Sequence, residues 1–63
     1  MIWTIHRDGR YFVASHNGHS FELGEMGKDR WLLRHWPLGK SSSDWHDATS
    51  AEDGKEKAKE LSK

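Results

Sequence analysis

The stretch "RYFVASHNGHSFEL", residues 10–23, places His16 and His19 on either side of an Asn-Gly pair. Imidazole is the commonest protein ligand for a transition metal. A structural zinc takes four ligands, however, and a catalytic one usually three. Only Glu22 and Asp8 lie close enough in sequence to add to these histidines, and the chain has no cysteine. Asn-Gly between β-rich runs has a simpler use. It closes a two-residue hairpin, because a type I′ turn needs positive φ at both central positions. The expectation is a hairpin end, with no metal site and no cofactor.

The remaining candidates for chemistry fare no better. "WHDAT" sets His46 beside Asp47, with Ser41, Ser42 and Ser43 just upstream. Adjacent side chains in an extended chain point apart and do not make a nucleophile–base–orienter geometry. Glu22 and Glu25 fall in a hairpin, while Glu52, Asp53, Glu56 and Glu60 read as the solvated face of a helix. No glycine-rich phosphate loop follows a strand. A small domain with one helix has little room for the concave pocket an active site needs. No catalytic residue is assigned and no enzyme is expected.

Two turn signals position these residues. Asp8-Gly9 between "IWTIHR" and "RYFVAS" is a second I′-type hairpin signal. Closing it sets Arg7 opposite Arg10, His6 opposite Tyr11, Ile5 opposite Phe12 and Trp3 opposite Ala14. Closing Asn17-Gly18 sets His16 opposite His19, Ala14 opposite Phe21 and Phe12 opposite Leu23. Both registers sort the residues alike. Trp3, Ile5, Phe12, Ala14, Phe21 and Leu23 share one face, and Ile2, Thr4, His6, Tyr11, Val13, Ser15, Ser20 and Glu22 share the other.

"GEMGKD" reads as a third connection, leading to "RWLLRHW", a fourth strand stopped by Pro37. Trp31 and Leu33 are expected inward, because an inward Arg34 would need a buried partner. Residues 37–48 read as a loop, with Trp45 folding back to cap the core edge. "TSAEDGKEKAKELSK" reads as a helix over 49–62, begun by a Thr49/Glu52 or Ser50/Asp53 capping box. Its apolar stripe of Ala51, Gly54, Ala58 and Leu61 is smooth enough for close packing on a sheet. The fold class is α+β: a three- to four-stranded antiparallel meander over 1–36, with one C-terminal helix on one face, as a single domain over 1–63.

Composition narrows the function. The 63 residues include four tryptophans but only 33% hydrophobic residues. Rings that bury about 150–250 Å² each supply a core that aliphatic residues would otherwise provide. Ten basic residues balance ten acidic ones, which argues against tight nucleic-acid binding by bulk charge. Residues 1–40 hold six Lys/Arg against four Asp/Glu, so the sheet half is mildly basic. No apolar run reaches the roughly 18 residues of a membrane span, and a cytoplasmic protein is expected.

One helix covers one side of a sheet, leaving Ile2, Thr4, His6, Tyr11, Val13, Leu32, Arg34 and Trp36 on the other. That side is more apolar and aromatic than a solvated face requires, and such patches mark interfaces. The favoured function is a non-enzymatic binding module that meets a protein partner, or itself as a homodimer, through His6, Tyr11, Val13, Arg34 and Trp36. The alternative is DNA binding by Arg7, Arg10, Lys28, Arg30 and Arg34.

Two resemblances bear on this choice. The element order, a three-stranded sheet followed by a helix, resembles the arm-type DNA-binding domains of tyrosine-family integrases and the plant Apetala-type DNA-binding domains. That resemblance implies strands entering the major groove. Short Trp-bearing strands, the "DG" hairpin and the ending "TSAEDGKEKAKEL" together look like the small uncharacterised proteins of actinobacterial phages and prophages. That similarity covers most of the chain without a specific motif, and implies an accessory or regulatory role.

Overall fold

Left-handed backbone sets the turns. The computed structural model describes Met1 to Lys63, and in it Asp8 and Gly9 have φ of 54° and 86°, while Asn17 and Gly18 have 52° and 80°. Asn-Gly therefore joins β2 (Tyr11–His16) to β3 (His19–Gly27) with His16 opposite His19, in the expected register. At the first turn β1 (Thr4–His6) pairs with β2 as expected, Thr4 with Val13 through His6 with Tyr11. Arg7, however, also turns left-handed, at φ 51°. It leaves the strand for a short 3-10 turn, so Arg7 and Arg10 meet through one turn hydrogen bond of 3.1 Å instead of facing each other in the ladder.

The third connection is shorter than the sequence suggested. Most of "GEMGKD" belongs to β3, and the hairpin turn is Lys28-Asp29, with Asp29 at φ 55°. The register shifts between Glu25 and Gly27, leaving Met26 as the unpaired residue of a bulge. β4 (Arg30–Trp36) follows, and Pro37 ends it.

The expectation of three to four strands needs correction. Asp44–Ala48 forms a fifth strand, β5, paired antiparallel with β4, so the loop between them covers only residues 37–43. "DWHDA" contains no β-branched residue and follows a serine run, which hid its alternation. Trp45 accordingly does not cap the core. It stands on the other face and is 56% exposed. The sheet is an open antiparallel meander in the order β1-β2-β3-β4-β5.

α1 (Ala51–Leu61) packs over β3, β4 and β5. Of the two capping pairs, Ser50 and Asp53 form the real one. The Ser50 hydroxyl accepts from the Asp53 N–H at 3.0 Å, and the Asp53 carboxylate accepts from the Thr49 N–H at 3.0 Å. Such caps contribute about 1 kcal/mol. The stripe meets the sheet as expected, with Gly54 and Ala58 buried and Ala51 and Leu61 partly so.

The core consists of Phe12, Phe21, Leu23, Leu33 and Ala58, flanked by Trp3 and Trp31. Trp3 sets its edge against Phe12, with ring centroids 6.5 Å apart. Trp31 and Leu33 point inward as expected, and His35 follows them at 4% exposure. Because the backbone of α1 does not reach β1, Ile5 is 64% exposed although it lies on the helix face. No helix is long and apolar enough to cross a membrane.

Candidate functional site

With α1 on one face, the pleat arrays a second set of side chains on the other. Thr4, Val13, Glu22, Arg34 and Trp45 are successive partners across all five strands. Beside them runs the row His6, Tyr11, Gly24, Leu32 and Asp47, and beyond lie Ser15, Ser20 and Trp36. Each of His6, Tyr11, Val13, Arg34 and Trp36 therefore stands on this uncovered face.

Two arrangements order it. The Tyr11 hydroxyl donates to Glu22 Oε2. That bond to a carboxylate, with burial and the carboxylate's charge adding to it, holds the Tyr11 phenol above its usual pKa, against the opposing pull of Arg7 and Arg34. The phenol stays neutral and keeps donating. Its ring also leans over Gly24, where an added Cβ would sit 3.5 Å from Tyr11 Cδ1. His6 packs beside it, with centroids 6.0 Å apart.

The second arrangement is built on Arg34. Its guanidinium carbon lies 4.5 Å from the Trp36 ring centroid and 4.8 Å from that of Trp45. Contacts of this kind contribute about 0.5–2 kcal/mol each. Arg34 Nε donates to Ser43 Oγ at 2.9 Å. Glu22 is its direct neighbour in the ladder, yet the ion pairs of the molecule are Arg10–Glu25, Lys57–Asp53 and Lys63–Glu60, and Arg34 takes part in none. Between Tyr11 and Leu32, over Gly24, lies a shallow notch of about 200 Å³ that Met26, Arg34 and Trp45 also line. A second hollow, over Val13, Ser15, Ser20 and Trp36, measures about 430 Å³.

The residues of the DNA alternative do not form one stripe. Arg7 and Arg10 sit at the first turn, Lys28 and Arg30 at the third, both at the same end of the sheet, while Arg34 stands mid-face. Asp8, Glu25 and Asp29 are interleaved with those at the end, and Glu25 pairs with Arg10 at 4.0 Å.

His16 and His19 part company. His19 Nδ1 lies 2.9 Å from His35 Nε2, with the rings stacked, and His46 follows with its centroid 6.3 Å from that of His35. His16 instead lines a hollow with Trp3, Lys55 and Lys59. No group of three or more His, Asp or Glu side chains is arranged to hold a metal ion. Burial, with His19 and His46 nearby, lowers the His35 pKa against a raising effect from Asp44. Asn17 has a further task beyond its turn. Its side-chain amide donates to the Ser62 carbonyl at 3.0 Å, tying the hairpin to the end of α1. His46 and Asp47, as strand neighbours, point to opposite faces of the sheet, so no triad forms with the serines.

Sequence reasoning missed Trp45 and Ser43 because β5 was hidden, and it missed the Tyr11–Glu22 bond. The alternation of Trp45 and Asp47 against Asp44, His46 and Ala48 was the available signal. It missed the stacked histidines as well, although His35 falls on the side of Leu33. No family of known proteins, no curated protein and no solved structure matches the chain.

Proposed function

We propose that the protein is a small non-enzymatic binding module that docks a protein partner, or a second copy of itself, on the sheet face opposite α1. The observation that carries this reading is the makeup of that face. Val13, Leu32, Trp36 and Trp45 lie on it around an arginine held between two indoles. Tyr, Trp and Arg are the side chains that most often carry interface energy. Their order before binding lowers the entropic cost of docking. Glu22 and Asp47 on the same face, with a net charge of zero, disfavour a polyanion. An accessory or regulatory role of the phage type fits a module of this size.

Sedimentation equilibrium, with and without a short random DNA duplex at about 50 mM and about 200 mM salt, tests the partner class. The expected result is a sedimenting mass indifferent to both DNA and salt. A dimer that Trp36→Ala dissociates assigns a second copy as the partner, and a monomer excludes self-docking and leaves only a different protein as the partner. A DNA complex that weakens steeply with salt and disappears in Arg7→Ala/Arg10→Ala overturns the reading in favour of DNA.

A further inference from the structure

Arg34 is unusual among the cations of this protein in how fully its position is set. Both indoles touch it, and its Nε is tied to Ser43. An arginine loses rotamer freedom whenever it forms a directed contact, and here that loss has been met within the fold. Its two Nη groups donate to no protein atom, and it belongs to none of the ion pairs. The nearest ladder carboxylate, Glu22, is engaged by the Tyr11 hydroxyl. The result is a half-buried, flat, pre-oriented fork of N–H donors with apolar walls.

A planar fork of this kind matches a two-oxygen acceptor such as a carboxylate, with two parallel charge-assisted hydrogen bonds. We propose that Arg34 is the receptor for a carboxylate of the docked protein, an Asp or Glu side chain or a chain terminus flanked by apolar residues. This proposal rests on the docking face described above. The charge of the surroundings selects a single carboxylate over a polyanion. Glu22 neighbours Arg34, and Asp47 neighbours Leu32 in the next row, so one compact anion gains from the guanidinium while a run of phosphates meets both carboxylates. The apolar flanks of the ligand fit Trp36, Trp45 and Leu32. Trp45 and Ser43 thereby become positioning residues, which hold the fork and do not themselves bind the anion.

The test is a heteronuclear NMR titration that follows the Arg34 Nε–H and the indole N–H signals of the intact chain. The probes are N-acetyl-leucine, its uncharged amide N-acetyl-leucinamide, inorganic phosphate and a short DNA duplex. The expected result is a saturable shift of the Arg34 Nε–H and the Trp36 and Trp45 indoles with N-acetyl-leucine and none with the amide. Arg34→Lys, which keeps the charge but not the fork, abolishes it. Ser43→Ala, which leaves the core untouched, weakens it, and unchanged amide dispersion in both variants shows that the fold is intact. Equal shifts from acid and amide, centred on Val13 and Trp36, overturn the carboxylate role while leaving the docking face in place. Silence of Arg34 with every probe overturns the carboxylate role alone, because the docking face is judged by sedimentation. A response to duplex or phosphate without one to N-acetyl-leucine overturns both.

Discussion

Gly54 of the helix lies directly against Leu23 of the central strand: a Cβ on Gly54 would sit 2.3 Å from Leu23 Cδ1, 2.8 Å from Cδ2 and 3.1 Å from Cγ. Leu23 is fully buried. Because Leu23 is fully enclosed, its side chain has little room to turn away, so a larger residue at 54 must force Leu23 out of place or lift the helix.

Gly54→Ala is therefore expected to destabilise by about 1–2 kcal/mol, although Ala is the better helix former by about 1 kcal/mol. The sign should reverse once Leu23 is truncated. Leu23→Ala alone costs about 2–5 kcal/mol, and adding Gly54→Ala to it should restore part of that loss by filling the space and improving helix propensity. Chemical denaturation of the two single variants and the double variant measures the cycle. A stabilising Gly54→Ala in the wild-type background contradicts the close approach.

A close approach of the helix at Gly54 was legible in the sequence as a glycine in an alanine-lined stripe, but its partner Leu23 was not. The meander was legible too. Asp8-Gly9 and Asn17-Gly18 are turn signals with a stereochemical cause, and two independent registers sorted Phe12, Phe21 and Leu23 onto one face. β5 was not legible. Apart from Trp45 the strand is built largely from Asp44, Asp47 and Ala48, poor strand formers whose alternation is faint, and the pairing with β4 depends on the sheet edge that β4 offers, a tertiary effect. The candidate face was half legible for the same reason. Arg34 and Trp36 could be placed on β4, but the second indole and the serine that fix Arg34 arrive with β5 and the loop before it.

The stacked histidines predict an acid-sensitive fold. In the unfolded chain His35 takes up a proton as pH falls through about 6.5, whereas in the folded protein burial and the facing His19 and His46 lower its pKa and Asp44 only partly offsets them. The folded state then binds fewer protons across that window, so stability falls as pH drops through it. His35→Phe should preserve the stack on Phe21, whose ring centroid lies 4.8 Å away, and should flatten this dependence. Asp53 acts in a separate, lower window. Its pKa is held down by the Thr49 N–H and by Lys57, so its contribution is present above the ordinary carboxyl range and is lost only as pH falls through its lowered value. Urea midpoints of wild type and His35→Phe between about pH 7.5 and about pH 5.5 decide the matter. Equal slopes for the two proteins would rule out His35 as the source.

The most direct test of the docking face is site-specific photo-crosslinking in the protein's own cells. A photoreactive phenylalanine analogue is placed in turn at Val13 and Trp36 on the uncovered sheet face, and at Lys59 and Glu52 on the exposed side of α1. A docking face opposite α1 gives a discrete protein adduct from positions 13 and 36, whether with a second copy or with another chain, and none from positions 52 and 59. Adducts with nucleic acid from the sheet positions, or protein adducts confined to the helix positions, would contradict it.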